Sequence, residues 1–338
     1  MSSPLPLINQ ICIVTGATRG IGKGIAIGLG EAGATVYITG RTAVSPPSST
    51  PGSATAFDAG CSLAATKAAV EAAGGKCIAV QLDHADDDAV EKFFERVDSE
   101  TGGRIDLLVN NVYAGVSAIF DSVKTPFWEK PVGHWDTIAN VGLRSHYVAT
   151  VHAARIMAKR ADSTGSPPIV ANISSWGGFL SIFDVAYGAG KAAVDRLAAD
   201  AAAPLRKIGV ASVSMYPGLV KTEFMDANVM DSFGTSARYT AESPVYTGRV
   251  LAAMLADRER VLKRDSGKVV VVAEAAKRYG VVDVDGVYKS SFRSLRFGAV
   301  SAAASMGEKW VVWAQKLVPA VCIPWTILAW AALASPRM

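Results

Sequence analysis

The chain has no C-x-x-C pair, and its four cysteines, Cys12, Cys61, Cys77 and Cys322, are scattered along it. That argues against a thiol-built metal knuckle or a redox couple. Two of them lie in apolar, strand-like runs, so all four read as reduced thiols. The four histidines, His84, His134, His146 and His152, show no ligand spacing, and no metal site is expected. Charge is sparse as well. Charged residues make up only 19%, and 34 basic side chains face 30 acidic ones, too even a balance for a nucleic-acid partner. The opening Met-Ser-Ser-Pro-Leu-Pro-Leu has neither a basic start nor a long apolar run. It does not read as a secretory signal, and the chain is expected to face the cytosol. Apolar side chains, by contrast, are half of all residues, enough for a large core and against global disorder. A length of 338 residues allows two domains, but α/β folds of this size are often single.

Short apolar runs alternate with helical stretches. Ile11–Thr15 leads directly into Gly16-Ala-Thr-Arg-Gly-Ile-Gly22, followed by a helix over Lys23–Ala32. Glycines in this setting permit a tight turn and close backbone approach to a phosphate, which the helix N-terminus attracts. Gly16, Thr18, Arg19, Gly20, Ile21 and Gly22 are therefore candidate cofactor contacts. A second strand, Thr35–Thr39, ends in Gly40-Arg41 rather than in the acid that bonds the ribose 2′-hydroxyl of NAD. Arg41, with Arg19 nearby, suits a 2′-phosphate, which favours NADP (as NADPH) over NAD. Residues 43–57 are a Ser/Pro/Thr-rich insert without periodicity, expected to be a surface loop.

Further alternation follows: a helix at about 58–73, a strand at Cys77–Leu82 closed by Asp83, a helix over 85–101 and a strand at Ile105–Asn110. A long helix is expected over 134–160, then a strand ending at Ser174-Ser175, a helix over Tyr187–Lys207, and strands at Val210–Tyr216 and Lys268–Ala273. Seven strands alternating with helices predict an α/β fold with one doubly wound parallel sheet, whose ligands bind at the carboxyl edge.

The chemistry centres on Tyr187-Gly-Ala-Gly-Lys191. Helical spacing puts the phenol and the ammonium on one face, a turn apart. A nearby cation favours the phenolate, so Lys191 is expected to bring Tyr187 towards neutral working pH. Ser175, at a strand end, adds a hydroxyl. The three suit proton transfer to a carbonyl oxygen.

With the glycine turn, this set resembles the short-chain dehydrogenase/reductase family from about Ile11 to Ala273, which implies a Rossmann-type sheet and nicotinamide-dependent oxidoreduction. The resemblance implies that Ser175 orients the substrate oxygen, Tyr187 is the general acid, and Lys191 also bonds the nicotinamide ribose. It likewise implies that Asp83 bonds the adenine amino group, that Asn110 and Asn111 support the adenosine side, and that Pro217, Gly218, Val220 and Thr222 hold the carboxamide. Residues 223–241, rich in Phe, Met and Tyr, stand where relatives place a substrate lid.

Two departures stand out. Relatives have Asn-Asn-Ala-Gly where this chain has Asn110-Asn-Val-Tyr-Ala-Gly115, two residues longer. Relatives also carry an asparagine seven residues after the helix tryptophan, holding a water that relays protons to the lysine. Counting from Trp135 gives Gly142, with Asn140 two residues earlier, turned by roughly 200° on a regular helix. Asn140 substitutes only if the helix is distorted, and glycine there favours an irregular turn. A catalytically silent NADP-binding sensor or scaffold is the competing reading.

The expected organisation is a catalytic domain over 8–273 and a C-terminal extension over 274–338, whose segment 310–334 is apolar. Four tryptophans there (310, 313, 325 and 330) and two prolines suit a membrane surface better than a full span. The extension resembles that of a branch associated with NADPH-dependent reduction of steroid-like and foreign carbonyls at the endoplasmic reticulum. The implied partners are a small-molecule carbonyl or alcohol, a membrane surface and a possible second copy in a homodimer.

Overall fold

The computed structural model describes residues 7–44, 60–122, 124–160, 166–228, 240–304, 306–319 and 321–324. Seven strands form one sheet, all parallel, in the order β3-β2-β1-β4-β5-β6-β7. They are β1 Ile11–Val14, β2 Thr35–Gly40, β3 Lys76–Gln81, β4 Leu107–Asn110, β5 Ile169–Ile173, β6 Ala211–Tyr216 and β7 Val269–Val271. Helices between the strands are α1 Gly20–Glu31, α2 Leu63–Ala72, α3 Asp87–Thr101, α4 Val116–Asp121, α5 His134–Ala139, α6 Ser145–Arg160, α7 Val185–Arg206 and α8 Glu223–Asn228.

The central strands are largely apolar because helices cover both faces, while the edge strand β3 is half-buried and carries exposed Lys76 and Gln81 at its ends. Alternation then sorts their side chains. Cys12 and Val14 share one layer with Ile25 and Leu29 of α1 and Tyr246 and Leu251 of the helix Pro244–Ala256. Ile13 and Leu108 face the other, with Phe93 and Phe94 of α3 and Met157 of α6. Burial holds the Cys77 thiol up at about 12, so it is an inert core group. Strand order reverses between β1 and β4, the switch point beyond whose carboxyl ends sheets of this kind form their ligand crevice.

The helix expected over 134–160 is broken. Val141 (φ −107°, ψ 88°) and Gly142 (φ 152°) leave helical geometry between α5 and α6. The Tyr187 helix starts earlier than expected, at Val185, where Asp184 caps it by accepting the Tyr187 N–H at 2.7 Å. β7 is shorter than Lys268–Ala273, because Val272 already opens a helix over Val272–Tyr279. Residues 45–57 of the insert, 229–239 of the expected lid and 325–334 of the apolar segment lie outside the described residues.

The extension folds back on itself and onto the sheet domain, where the Ser243 N–H donates to Asp283 Oδ2 at 2.9 Å. Glu274 accepts from Ser291 (2.7 Å) and Arg293 Nε (2.8 Å), and Arg293 Nη1 reaches the Ile323 carbonyl at 3.1 Å. Two helices, Leu295–Ala304 and Glu308–Leu317, pack through Val300, Ala303, Val311 and Ala314. Phe292 seats its ring 5.0 Å from that of Trp176, the residue after Ser175.

Candidate active site

The crevice is built from the end of β1. The Thr15 hydroxyl donates to the Val109 carbonyl (3.2 Å) and accepts the N–H groups of Asn111 (3.0 Å) and Val112 (3.1 Å). Gly16 then turns with φ 67°, and a Cβ there would lie 2.6 Å from Val112 Cα, so glycine is required twice over. Asn111 donates its amide to the carbonyls of Thr15 (2.9 Å) and Gly16 (3.0 Å), locking the loop's shape. The side chain of Asn110 points away from the loop. It is fully buried and donates to Asn172 Oδ1 and Thr150 Oγ1, both at 2.9 Å, in the interior.

Behind the turn, the Gly20 N–H donates to Glu223 Oε2 at 2.8 Å, and Glu223 Oε1 lies 3.7 Å from Lys23 Nζ. A carboxylate is thus held at the N-terminus of α1, where free N–H groups and the helix dipole attract anions. Thr18 and Ile21 are half-buried in the loop, and the Gly22 backbone is buried. Arg19 and Arg41 are exposed, and the Arg41 carbonyl accepts Gln81 Nε2 at 2.9 Å. Asp83 is exposed and accepts the Ala85 N–H at 3.0 Å.

Across the crevice, Pro217 is buried, and the Gly218 N–H donates to Glu242 Oε2 at 3.0 Å. Val220 pairs with Glu242 as a short parallel bridge. The Thr222 hydroxyl accepts the Met225 N–H (3.3 Å) at the start of α8. Glu242 is buried, and burial raises its pKa to about 8. The loop therefore rests on a carboxyl group from the far side of the lid segment.

Ser175, Tyr187 and Lys191 come together at the carboxyl edge. Ser175 follows β5, and its Oγ accepts the Gly177 N–H at 3.1 Å. A hydrogen bond from Ser175 lowers the Tyr187 pKa, but burial raises it by more. The expected depression by Lys191 is thus corrected. The phenol is packed against Phe183 (ring centres 5.2 Å) and Tyr113 (6.2 Å), and this burial sets the direction of the shift. Lys191 is buried, donates to the Ile173 carbonyl at 3.1 Å and lies 6.0 Å from the Tyr187 ring centre. Burial brings its pKa down to about 8, with the Asp195 carboxylate opposing.

Asn140 is exposed, so the helix distortion does not bring it to Lys191. Tyr113, from the two-residue insertion, stands beside Gly142 instead. Sequence reasoning missed four contributors. Tyr113 and Gly142 are each visible as a departure, but only the fold joins them. Asp184 has a local signal, an acid three residues before Tyr187 at the cap position. It also binds Lys130 Nζ (3.0 Å) and His134 Nε2 (2.7 Å), which fixes the start of α7. Glu223 has none, since its partner Gly20 is 203 positions away. The fourth is an aromatic wall beside Tyr187, in which Phe120 meets Phe183 edge to face (5.4 Å) and Phe224 at a tilt (5.0 Å). Phe183 holds φ 62°, an uncommon conformation for a bulky residue, found where surroundings impose it.

Comparison with known proteins agrees with this architecture. The family model for short chain dehydrogenase matches residues 54–232. Dehydrogenase/reductase SDR family member 1 of Mus musculus is 40% identical over 323 residues, covering 93% of this chain and 94% of that protein. Its Homo sapiens counterpart is 40% identical over 300 residues, covering 86% and 88%. A crystal structure from Beutenbergia cavernae, described as an NAD(P)-dependent gluconate 5-dehydrogenase with bound NADP, superposes with a TM-score of 0.61 at 25% identity, covering 80% of this chain and 97% of that one. Likeness of this extent, on a sheet and crevice of this construction, places the chain in the short-chain dehydrogenase/reductase family.

Proposed function

We propose that the protein is an NADPH-dependent carbonyl reductase, reversible as an alcohol dehydrogenase, acting on an apolar ketone. The observation that carries the reading is the convergence of Ser175, Tyr187 and Lys191 beside the wall of Phe120, Phe183 and Phe224. The residues fit a dinucleotide: the Gly20 N–H already holds a carboxylate, as it would a phosphate oxygen. The Gly16–Gly22 loop would hold the diphosphate, Arg19 and Arg41 the 2′-phosphate, Asp83 the adenine, Tyr187 and Lys191 the ribose, and Pro217–Thr222 the carboxamide. When bound, the cofactor supplies the hydride. Ser175 donates a hydrogen bond to the substrate oxygen and orients it. Tyr187 gives that oxygen its proton. The positive charge of Lys191 favours the phenolate that remains. The aromatic wall excludes water and binds apolar surface. NADPH consumption by purified protein against a panel of apolar ketones and quinones tests the reading. No turnover with any of them, alongside tight NADPH binding, would favour the silent sensor.

Glu223 competes with the cofactor in this reading. Glu223→Gln removes its charge from the diphosphate seat. NADPH affinity should rise about two- to fivefold, the range of one charge at a helix N-terminus. Fluorescence titration measures this, and an unchanged or weaker affinity would place Glu223 outside the seat.

The same proposal puts the extension on a membrane surface. Among the described residues no helix is long and apolar enough to cross a bilayer. Trp310, Trp313 and Leu317 are exposed on the helix whose Val311 and Ala314 face the protein, and Lys309 and Lys316 are exposed beside them. Tryptophan and lysine together suit an anionic interface. Replacing Trp310, Trp313 and Leu317 by serine leaves the packed face intact. The variant should move from the membrane pellet to the supernatant on cell fractionation. Equal pelleting of both proteins would rule this face out.

A further inference from the structure

The two departures of the sequence, the insertion before Ala114 and the glycine at 142, meet in space. Gly142 carries no side chain, and a Cβ built there would lie 2.4 Å from Cδ2 and 2.9 Å from Cε2 of the Tyr113 ring. The break in the helix and the longer loop are one fitted arrangement. Its clasp is made of the Ala114 N–H donating to the Val141 carbonyl (3.0 Å) and His146 Nε2 donating to the Val112 carbonyl (3.1 Å). Burial, with the Lys191 charge adding to it, brings the His146 pKa down to about 3, although the bond to Val112 opposes the shift. The ring so fixed has Lys191 Nζ 4.9 Å from its centre and stands at 75° to the Tyr187 ring. A small cavity is left, of about 10 Å³, lined by Tyr113, Ile138, Gly142, Leu143, Tyr187, Gly190 and Lys191. That is at the lower limit for a single water molecule. The Tyr113 hydroxyl is buried with no hydrogen-bond partner among the described residues, so none of them holds the ring there by its oxygen.

We propose that Tyr113 is a positioning residue of the active site: its ring face seats the Lys191 ammonium and its edge-to-face contact braces Tyr187, on the side where Gly142 offers no polar group. This rests on the reading of Tyr187 and Lys191 as the acid and its partner. A cation within about 6 Å of an aromatic face is attracted by the ring quadrupole, more strongly when desolvated, as this one is. The ring therefore helps keep Lys191 charged. Its other titratable neighbours are Tyr187 and Asp195 on α7 and His146 on α6, and Asp195 alone among them favours the charge.

The test compares Tyr113→Phe with Tyr113→Leu in the full chain, reading kcat, the pH profile of kcat/KM for ketone reduction, and NADPH affinity by fluorescence. Phenylalanine keeps the ring face, so activity within about twofold of wild type and an unmoved profile are expected. Leucine fills the space without a quadrupole. Its kcat should fall about tenfold and the basic limb of its profile move down by about half to one pH unit, with NADPH affinity within about twofold. Tyr113→Met, equally apolar and more adaptable, is read in the same way if the leucine variant does not fold. The proposal is overturned if the phenylalanine variant is as impaired as the aliphatic ones, if the aliphatic variant keeps the wild-type rate and profile, or if both aliphatic variants fail to fold. Turnover by wild type keeps these outcomes separate from a failure of the reductase reading, which would show as no turnover in any protein.

Discussion

Tyr187→Phe should lower turnover by about 10²- to 10⁴-fold, the usual worth of a positioned acid or base, while leaving NADPH affinity nearly unchanged. The hydroxyl is lost, and with it the transferable proton, its hydrogen bond with Ser175 and one of the several contacts proposed for the cofactor. The ring keeps its edge contacts with Phe183 and Tyr113, and Asp184 still caps the helix through a backbone N–H. The pH dependence has a definite sign. Burial raises the Tyr187 pKa, so the phenol stays protonated through neutral pH and the reductive direction does not lose its acid there. Lys191, brought down to about 8, is charged below that pH and neutral above it. For ketone reduction kcat/KM should be flat on the acid side of about 8 and fall above it. Alcohol oxidation, which needs the phenolate, should rise with pH until the lysine loses its charge. Retention of more than about a tenth of wild-type activity by the phenylalanine variant would remove Tyr187 from the acid's role.

The sheet was legible because its central strands are buried on both faces and so appear as apolar runs, with glycine or a polar residue where the chain turns at the carboxyl edge. Ser175, Tyr187 and Lys191 were legible for a similar reason, since a strand end and one helical turn carry them by local spacing. Other features depend on chain segments far apart. Asn110 reads like its neighbour Asn111, yet strand alternation sends one into the interior and the other to the loop. Glu223 reads as the first residue of a lid and turns out to satisfy a backbone group beside the glycine turn. The direction of the Tyr187 shift was misjudged because spacing gives proximity but not burial, and burial is its largest cause. Gly142 and Tyr113 show the limit most clearly. Each departs from the family pattern when taken alone, and together they are a cavity and its filling.

Arg41→Asp should reverse the choice of cofactor. β2 ends in Thr39-Gly40-Arg41-Thr42, with no acid to accept a ribose 2′-hydroxyl, and Arg19 and Arg41 are exposed at the crevice. A hydrogen bond to a charged group contributes about 1.5–3 kcal/mol, or roughly 10- to 150-fold in affinity, and an aspartate adds repulsion of the phosphate to that loss. NADPH should therefore bind about 10²-fold more weakly. NADH should bind somewhat better, because the new carboxylate accepts from the free 2′-hydroxyl. The turn itself should survive, since Gln81 bonds the Arg41 backbone carbonyl and not its side chain. Arg41→Gln separates the two effects: it loses the charge without gaining the acceptor, so NADPH weakens while NADH stays as it was. Titrating both cofactors against wild type and the two variants gives the ratio directly. If that ratio is the same in all three proteins, the 2′-phosphate does not sit at Arg41.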